Sequence, residues 1–372
     1  FLTDVAVDVS GDIAISGYYY GEIAFPSIQG QNIILTNTNS GYHFEGFVAT
    51  ATPNGDWQWV RGLETLVNGT GEYSSTTGVG FSASGDVLLT GEFEGETDFG
   101  GVPLNVSNAE VYVANYDFGS GGLNWVVSGG GIGVNRVFDL APTTNGGVKI
   151  ATISDGFSQW GSTSYLAKGT IDAVVIEFDA GGALVGLDGY GSPNEQTIIL
   201  NIEMDFNGDT YYAGTFGGTI AGTGWSATAS YGGNDIFVVR EAVSSANSWA
   251  FVSGSSQADE PQGLAVTSNG LVVYGGFIIA QHTASSYTLT PSNHDGFVVG
   301  LSSSGSAEWA EQIGGSQYDY AWSLAVNFSD SIGVGGSYSG SMTHDGTSVT
   351  STGGRDAFIW AFDPTALKDT DS

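Results

Sequence analysis

The sequence predicts an all-β chain: a six-bladed β-propeller of four-stranded antiparallel blades, the last blade lacking its fourth strand. Three observations carry this expectation. Two landmarks recur with one period along the 372 residues, glycine occupies 59 positions against 8 prolines, and no stretch keeps an apolar period near that of a helix. Abundant glycine alongside short β-branched and aromatic runs suits many tight turns between strands. With 41% hydrophobic and 12% aromatic residues, the composition does not suit disorder.

The first landmark is a turn at Gly11-Asp12, Gly85-Asp86, Gly146-Gly147, Gly208-Asp209, Asn269-Gly270 and Asp330-Ser331, with spacings of 74, 61, 62, 61 and 61 residues. The second is an acidic residue opening a strand: Glu45, Glu110, Asp172, Asp235, Asp295 and Asp356, with spacings of 65, 62, 63, 60 and 61 residues. Tryptophan marks a fourth strand at Trp57, Trp59, Trp125, Trp249 and Trp309, whereas the third repeat carries Val185-Gly186-Leu187 there.

These landmarks divide a single domain, residues 1–372, into repeats at about 1–73, 74–137, 138–197, 198–261, 262–320 and 321–372. In the first, Val5-Ala6-Val7 and Ile13-Ala14-Ile15 read as inner strands, and residues 47–52 and 58–63 as the third and fourth. Insertions fall at 26–42 and 66–75. The second repeat supplies Val87-Leu88-Leu89 and Tyr112-Val113-Ala114. The third departs most, with Val148-Lys149-Ile150 as second strand and Thr152 where other repeats place glycine. The remaining repeats are regular until the last, which turns to Pro364 after its third strand. One such sheet cannot bury both faces, and stacking sheets side by side around an axis does so. A linear β-solenoid is the alternative, although its repeats are usually far shorter.

An alternating strand, an Asp-containing turn, a strand ending in Gly, a polar hairpin, Gly-Gly-x-Asp-x-Phe-Val and then Trp resembles the SBBP-type β-propeller repeat, most closely at residues 208–240 and 330–362. The resemblance implies a secreted or surface protein of bacteria or archaea. It is specific for fold and nearly silent on activity. Repeat three, without the strand-ending glycine and the tryptophan, departs from the pattern.

Net charge is −32, from 39 acids and 7 bases. Such a surface repels phosphate backbones and anionic membranes, which argues against nucleic-acid partners and direct membrane insertion. Absence of cysteine excludes disulfides, thiolate zinc sites and cysteine nucleophiles. A start at Phe1 rather than Met, and an acidic end at Asp369-Thr370-Asp371-Ser372, predict a processed chain or a fragment.

In a propeller the six acidic anchors should share one face. They read either as a cation-binding face or as carboxylates accepting backbone N–H bonds from their own loops, and identical use in every repeat favours the second. Glu72, Glu195, Asp259, Glu260 and Asp319 lie in loops of the same face. Asp205, Asn207 and Asp209 place oxygens at alternate positions, as calcium loops do, although no bidentate Glu follows and Asn-Gly-Asp is also a hairpin turn. Calcium is the one cofactor that this pattern suggests. His43, His282, His294 and His344 read as surface residues, with His43 and His294 near an anchor carboxylate. Tyr18, Tyr19, Tyr20, Trp160, Trp225 and Tyr231 read either as rings for stacking sugars or as packing between blades. Asn68, Asn105 and Asn327 open glycosylation triplets.

No catalytic constellation stands out. The functional expectation is a non-catalytic extracellular or cell-surface module for adhesion, ligand binding or assembly, with a protein or glycan at a surface as partner. A glycan hydrolase or lyase is the alternative. A filament or surface-layer subunit, self-assembling through the open edge of the sixth blade, is another.

Overall fold

The computed structural model describes residues 1–26, 32–37, 43–66, 72–344 and 347–364. The chain divides into two compact units: Phe1–Ala167 with Ala173–Gly189, and Lys168–Asp172 with Tyr190–Ser372.

The first unit holds three blades. Blade one orders Leu2–Val7, Ile13–Tyr19, Glu45–Ala51 and Trp57–Gly62; blade two, Tyr73–Phe81, Val87–Asp98, Pro103–Tyr116 and Leu123–Gly131; blade three, Val137–Pro142, Val148–Ser154, Asp172–Phe178 and Leu184–Tyr190. The second unit holds blade four, Thr197–Met204, Thr210–Phe216, Asp235–Glu241 and Trp249–Ser253, and blade five, Glu260–Val266, Val272–Ile278, Asp295–Leu301 and Ala307–Gly315. A three-stranded sheet of Tyr320–Val326, Ile332–Tyr338 and Asp356–Phe362 follows.

Period-two alternation sends successive side chains of one strand to different neighbours, and this builds the cores between blades. Tyr112 and Ala114 pack with Ala14, Val48 and Trp59 of blade one. Their strand neighbours Val111 and Val113 pack with Val137, Val148 and Ile150 of blade three. In the second unit, Tyr211, Ala213, Ile236 and Val238 meet Leu264, Tyr274 and Phe297 of blade five.

This is a β-propeller arrangement, but the expected six blades are corrected to five. The last repeat does not complete a blade. One face packs on blade five through Ala321, Ile332 and Val334. Along Asp356–Phe362 every second residue is exposed, and Ile359 is 86% exposed. The chain then meets Pro364, which has no N–H to give a ladder.

Two devices position residues at the blade ends. First, hairpins between second and third strands reach back to the preceding blade: Phe157–Trp160 pairs with Leu123–Gly131, and Ser341–His344 with Ala307–Gly315. Second, every first strand carries a bulge at one repeat position. The pairing skips Thr3, Thr77, Phe138, Leu200, Gln262 and Trp322. A bulge re-aims the extra side chain and is favoured beside functional sites.

Candidate functional site

Five of the acidic anchors begin their third strands, whereas Glu110 lies inside Pro103–Tyr116, and the four aspartates turn back on their own loops. Asp172 accepts from the N–H groups of Lys168 and Gly169 at 2.7 and 2.9 Å. Asp235 Oδ2 accepts from Ser230 and Tyr231 N–H at 2.6 and 2.9 Å. Asp295 Oδ2 takes Ser292 N–H and the Gln312 amide, and Asp356 Oδ2 takes Thr352 N–H. Glu45 receives the Tyr19 hydroxyl and Glu110 the Ser128 hydroxyl. Burial pushes the carboxyls of Asp235 and Asp295 above the ordinary range, with Asp259 and Asp319 respectively adding repulsion.

Asp205, Asn207 and Asp209 form a capped turn. Asp205 Oδ1 accepts from the N–H groups of Asn207 and Asp209 at 2.9 and 3.0 Å. Asp209 Oδ2 accepts from Arg240 Nε and Nη2 at 3.0 and 2.5 Å, and its Oδ1 from Val243 N–H. Asp8 caps the first turn in the same way, accepting from Ser10 and Asp12 N–H, and Asn327 caps the last. Such Asx turns explain oxygens at alternate positions. Among the described residues no group of three or more His, Cys, Asp or Glu is placed to hold a metal ion.

The histidines differ from a set of surface side chains. His282 is fully buried, with Nδ1 3.1 Å from Asp259 Oδ1. His282 and Asp259 thus form a buried His–carboxylate contact. His43 Nδ1 faces the Glu72 carbonyl at 2.8 Å. His294 lies against Tyr318, with ring centroids 4.8 Å apart. His344 meets Trp360 edge-on at 4.0 Å. The signal that could have found the pair is a second acid 24 residues after an anchor, Asp259 after Asp235 and Asp319 after Asp295.

The tyrosine run Tyr18-Tyr19-Tyr20 splits by strand alternation. Tyr19 is buried, and Tyr18 and Tyr20 face a pocket of about 420 Å³ in the first unit. Trp160 packs between blades two and three, and the Trp225 indole donates to Glu241. The pocket walls are Tyr18, Tyr20, Phe44 and Tyr73. Phe44 is the hub, with centroids 5.1 Å from Tyr18, 5.7 Å from Tyr20 and 5.0 Å from Tyr73. Glu92 and Arg136 supply charge, and Ser75, Thr76 and the bulged residues Thr3 and Thr77 complete the lining. Val137 N–H donates to Glu92 Oε1. Burial raises the Glu92 carboxyl above its ordinary range, partly offset by that N–H, by Arg136 and by the Tyr73 hydroxyl. Burial, with Glu92 and Glu94 beside it, pushes the Tyr73 phenol up to about 12, so Tyr73 is a neutral donor at physiological pH. The pocket is open to solvent and combines ring faces with hydroxyl, carboxyl and guanidinium groups. Residues Phe44, Tyr73, Glu92 and Arg136 were not singled out from the sequence, because each lies in a different segment and only the fold gathers them. The triplet at Asn68 lies outside the described residues.

No family model matches the chain, and no curated protein matches it. Among solved structures it is similar to the extracellular domain of a hybrid two-component system from B. thetaiotaomicron, at 10% identity and TM-score 0.21, over 96% of this chain and 69% of that one.

Proposed function

We propose that the chain is a non-catalytic, extracellular or cell-surface binding module that holds a carbohydrate in the pocket of the first unit. One observation carries the reading: four aromatic rings, three of them tyrosines, wall a pocket whose other polar groups are the Glu92 carboxyl, the Arg136 guanidinium and the hydroxyls of Thr3, Ser75, Thr76 and Thr77. Ring faces of Tyr and Phe pack on the C–H face of a pyranose, and the polar groups bond its hydroxyls. A net charge of −32 gives solubility at a surface and disfavours polyanionic partners. Titration calorimetry against cello-, xylo-, manno- and chitohexaose tests it. Binding that Tyr18→Ala weakens at least tenfold supports the reading, and silence across the set rejects it.

A glycan-active enzyme is the second reading, favoured by the raised Glu92 carboxyl beside a neutral Tyr73. It requires product release from a bound oligosaccharide, abolished by Glu92→Gln with binding retained.

A further inference from the structure

We infer that the second unit carries a second saccharide site, a ring platform of Tyr318, Tyr320 and Trp322 beside Phe277, His294 and Arg355. This inference rests on the carbohydrate reading of the first pocket and adds a second contact point to it.

The argument begins with register. Phe81 faces Val87 in blade two, as Val326 faces Ile332 in the last sheet. Counting back from these pairs, Tyr318 occupies the position of Tyr73, and Trp322 that of Thr77. Ser337 takes the position of Glu92 by the same count. In the second strands, Ile13 corresponds to Val272, which sets Phe277 at the position of Tyr18. Phe44 and His294 each directly precede an acidic anchor. The trio Tyr18, Phe44 and Tyr73 therefore recurs as Phe277, His294 and Tyr318, all flat rings. The remaining repeats place non-aromatic residues at these positions, among them Glu92, Ala109 and Val134 in the next one.

Local geometry fits a ring-binding surface. Tyr320 and Trp322 stack at 4.8 Å with planes 10° apart. The Trp322 indole donates to Ser337 Oγ at 2.9 Å, which fixes the plane while the ring stays 43% exposed. Phe277 buttresses Tyr320 edge-on at 5.1 Å. Arg355 lies 4.7 Å from the Tyr320 centroid, held by its face. Tyr318 is 44% exposed and lies against His294 with planes tilted by 36°. The exposed rings of Tyr318 and Trp322, with the guanidinium that lies over Tyr320 beside them, match a pyranose: a flat apolar face and a hydroxyl edge.

Calorimetry with the same neutral hexasaccharides, using the full chain, reads the number of sites. Two sites are expected. Trp322→Ala and, independently, Tyr318→Ala should remove one and leave the other at unchanged affinity; Trp322→Phe should retain it. Tyr18→Ala should spare the second-unit site. A single site in the parent chain that Trp322→Ala leaves intact overturns the second site and leaves the first standing. No binding to any sugar overturns both.

Discussion

The indole N–H of Trp125 donates to the carbonyl of Ala180 at 2.9 Å, joining the fourth strand of blade two to the outer turn of blade three. The face of the same ring closes on Gly182, where an added Cβ would sit 2.7 Å from Cδ2. The clasp recurs: Trp59 bonds the Phe118 carbonyl over Gly121, and Trp249 bonds the Ser303 carbonyl over Gly305. All three glycines have positive φ. Gly182→Ala therefore meets both a strained backbone and a ring in its path. It should cost well over the roughly 1 kcal/mol that the backbone alone exacts. Gly85→Ala, at φ 87° with open space around it, is the control and should cost only the backbone term. Urea unfolding of the two variants checks this, and equal losses would contradict the clasp.

Arg240 and Asp209 form the most buried Arg–carboxylate pair among the described residues, with side chains 19% and 7% exposed. Removing the guanidinium strands a carboxylate out of water. Arg240→Ala should cost roughly 3 kcal/mol, and Arg240→Met with Asp209→Asn should recover most of it. Chemical denaturation of both variants gives the comparison.

Stability should depend on pH in an unusual direction. Asp235, Asp295, Asp319 and Glu92 all have folded-state pKa values raised, chiefly by burial. A raised carboxyl binds its proton more tightly in the folded chain. Its stabilising contribution is complete below the unfolded pKa, about 4, and is lost as pH rises through the folded value. Unfolding midpoints should therefore fall as pH climbs from about 4 toward neutrality. Asp235→Asn keeps an oxygen for Ser230 and Tyr231 N–H, and should flatten that slope while costing little at neutral pH. Asp235→Ala orphans both donors and should cost about 1–3 kcal/mol.

Self-repulsion among 39 acids and 7 bases should make the fold salt-sensitive. Raising ionic strength from about 0.01 to about 0.15 M shortens the screening length from about 30 to about 8 Å. The thermal midpoint should rise over that range, with neutral osmolytes at matched osmolality as the control. A flat response would mean that the charges are already well separated.

Much of the scaffold was legible because it is periodic. Turns such as Gly208-Asp209 and anchors such as Asp235 recur at fixed places, and repetition exposes a structural role. The four aspartate anchors bond their own loops, whereas Glu45 and Glu110 take hydroxyls from neighbouring strands. Blade count was less legible. The last repeat carries the landmarks of a blade up to Phe362, and whether three strands make one depends on packing of a face that leaves Ile359 in water. Residues of the pocket were legible only in part. Tyr18 and Tyr20 stood out as a cluster, whereas Phe44, Tyr73, Glu92 and Arg136 converge from four separate segments. His282 looked like a loop residue because the short hairpin that buries it has no strong strand pattern. Bulges were invisible, since one skipped residue reveals itself only when the partner strand's register is known.

Those skipped residues have a consequence for how such a chain can change. The same backbone kink presents Thr3, Thr77, Phe138, Leu200, Gln262 and Trp322, side chains differing in size, polarity and aromaticity. Because the extra residue is left out of the ladder, its identity is uncoupled from strand pairing. Six such positions on a repeated frame can change identity by single substitutions without disturbing the ladders, and Thr3 and Thr77, which line the pocket, would alter its wall in this way.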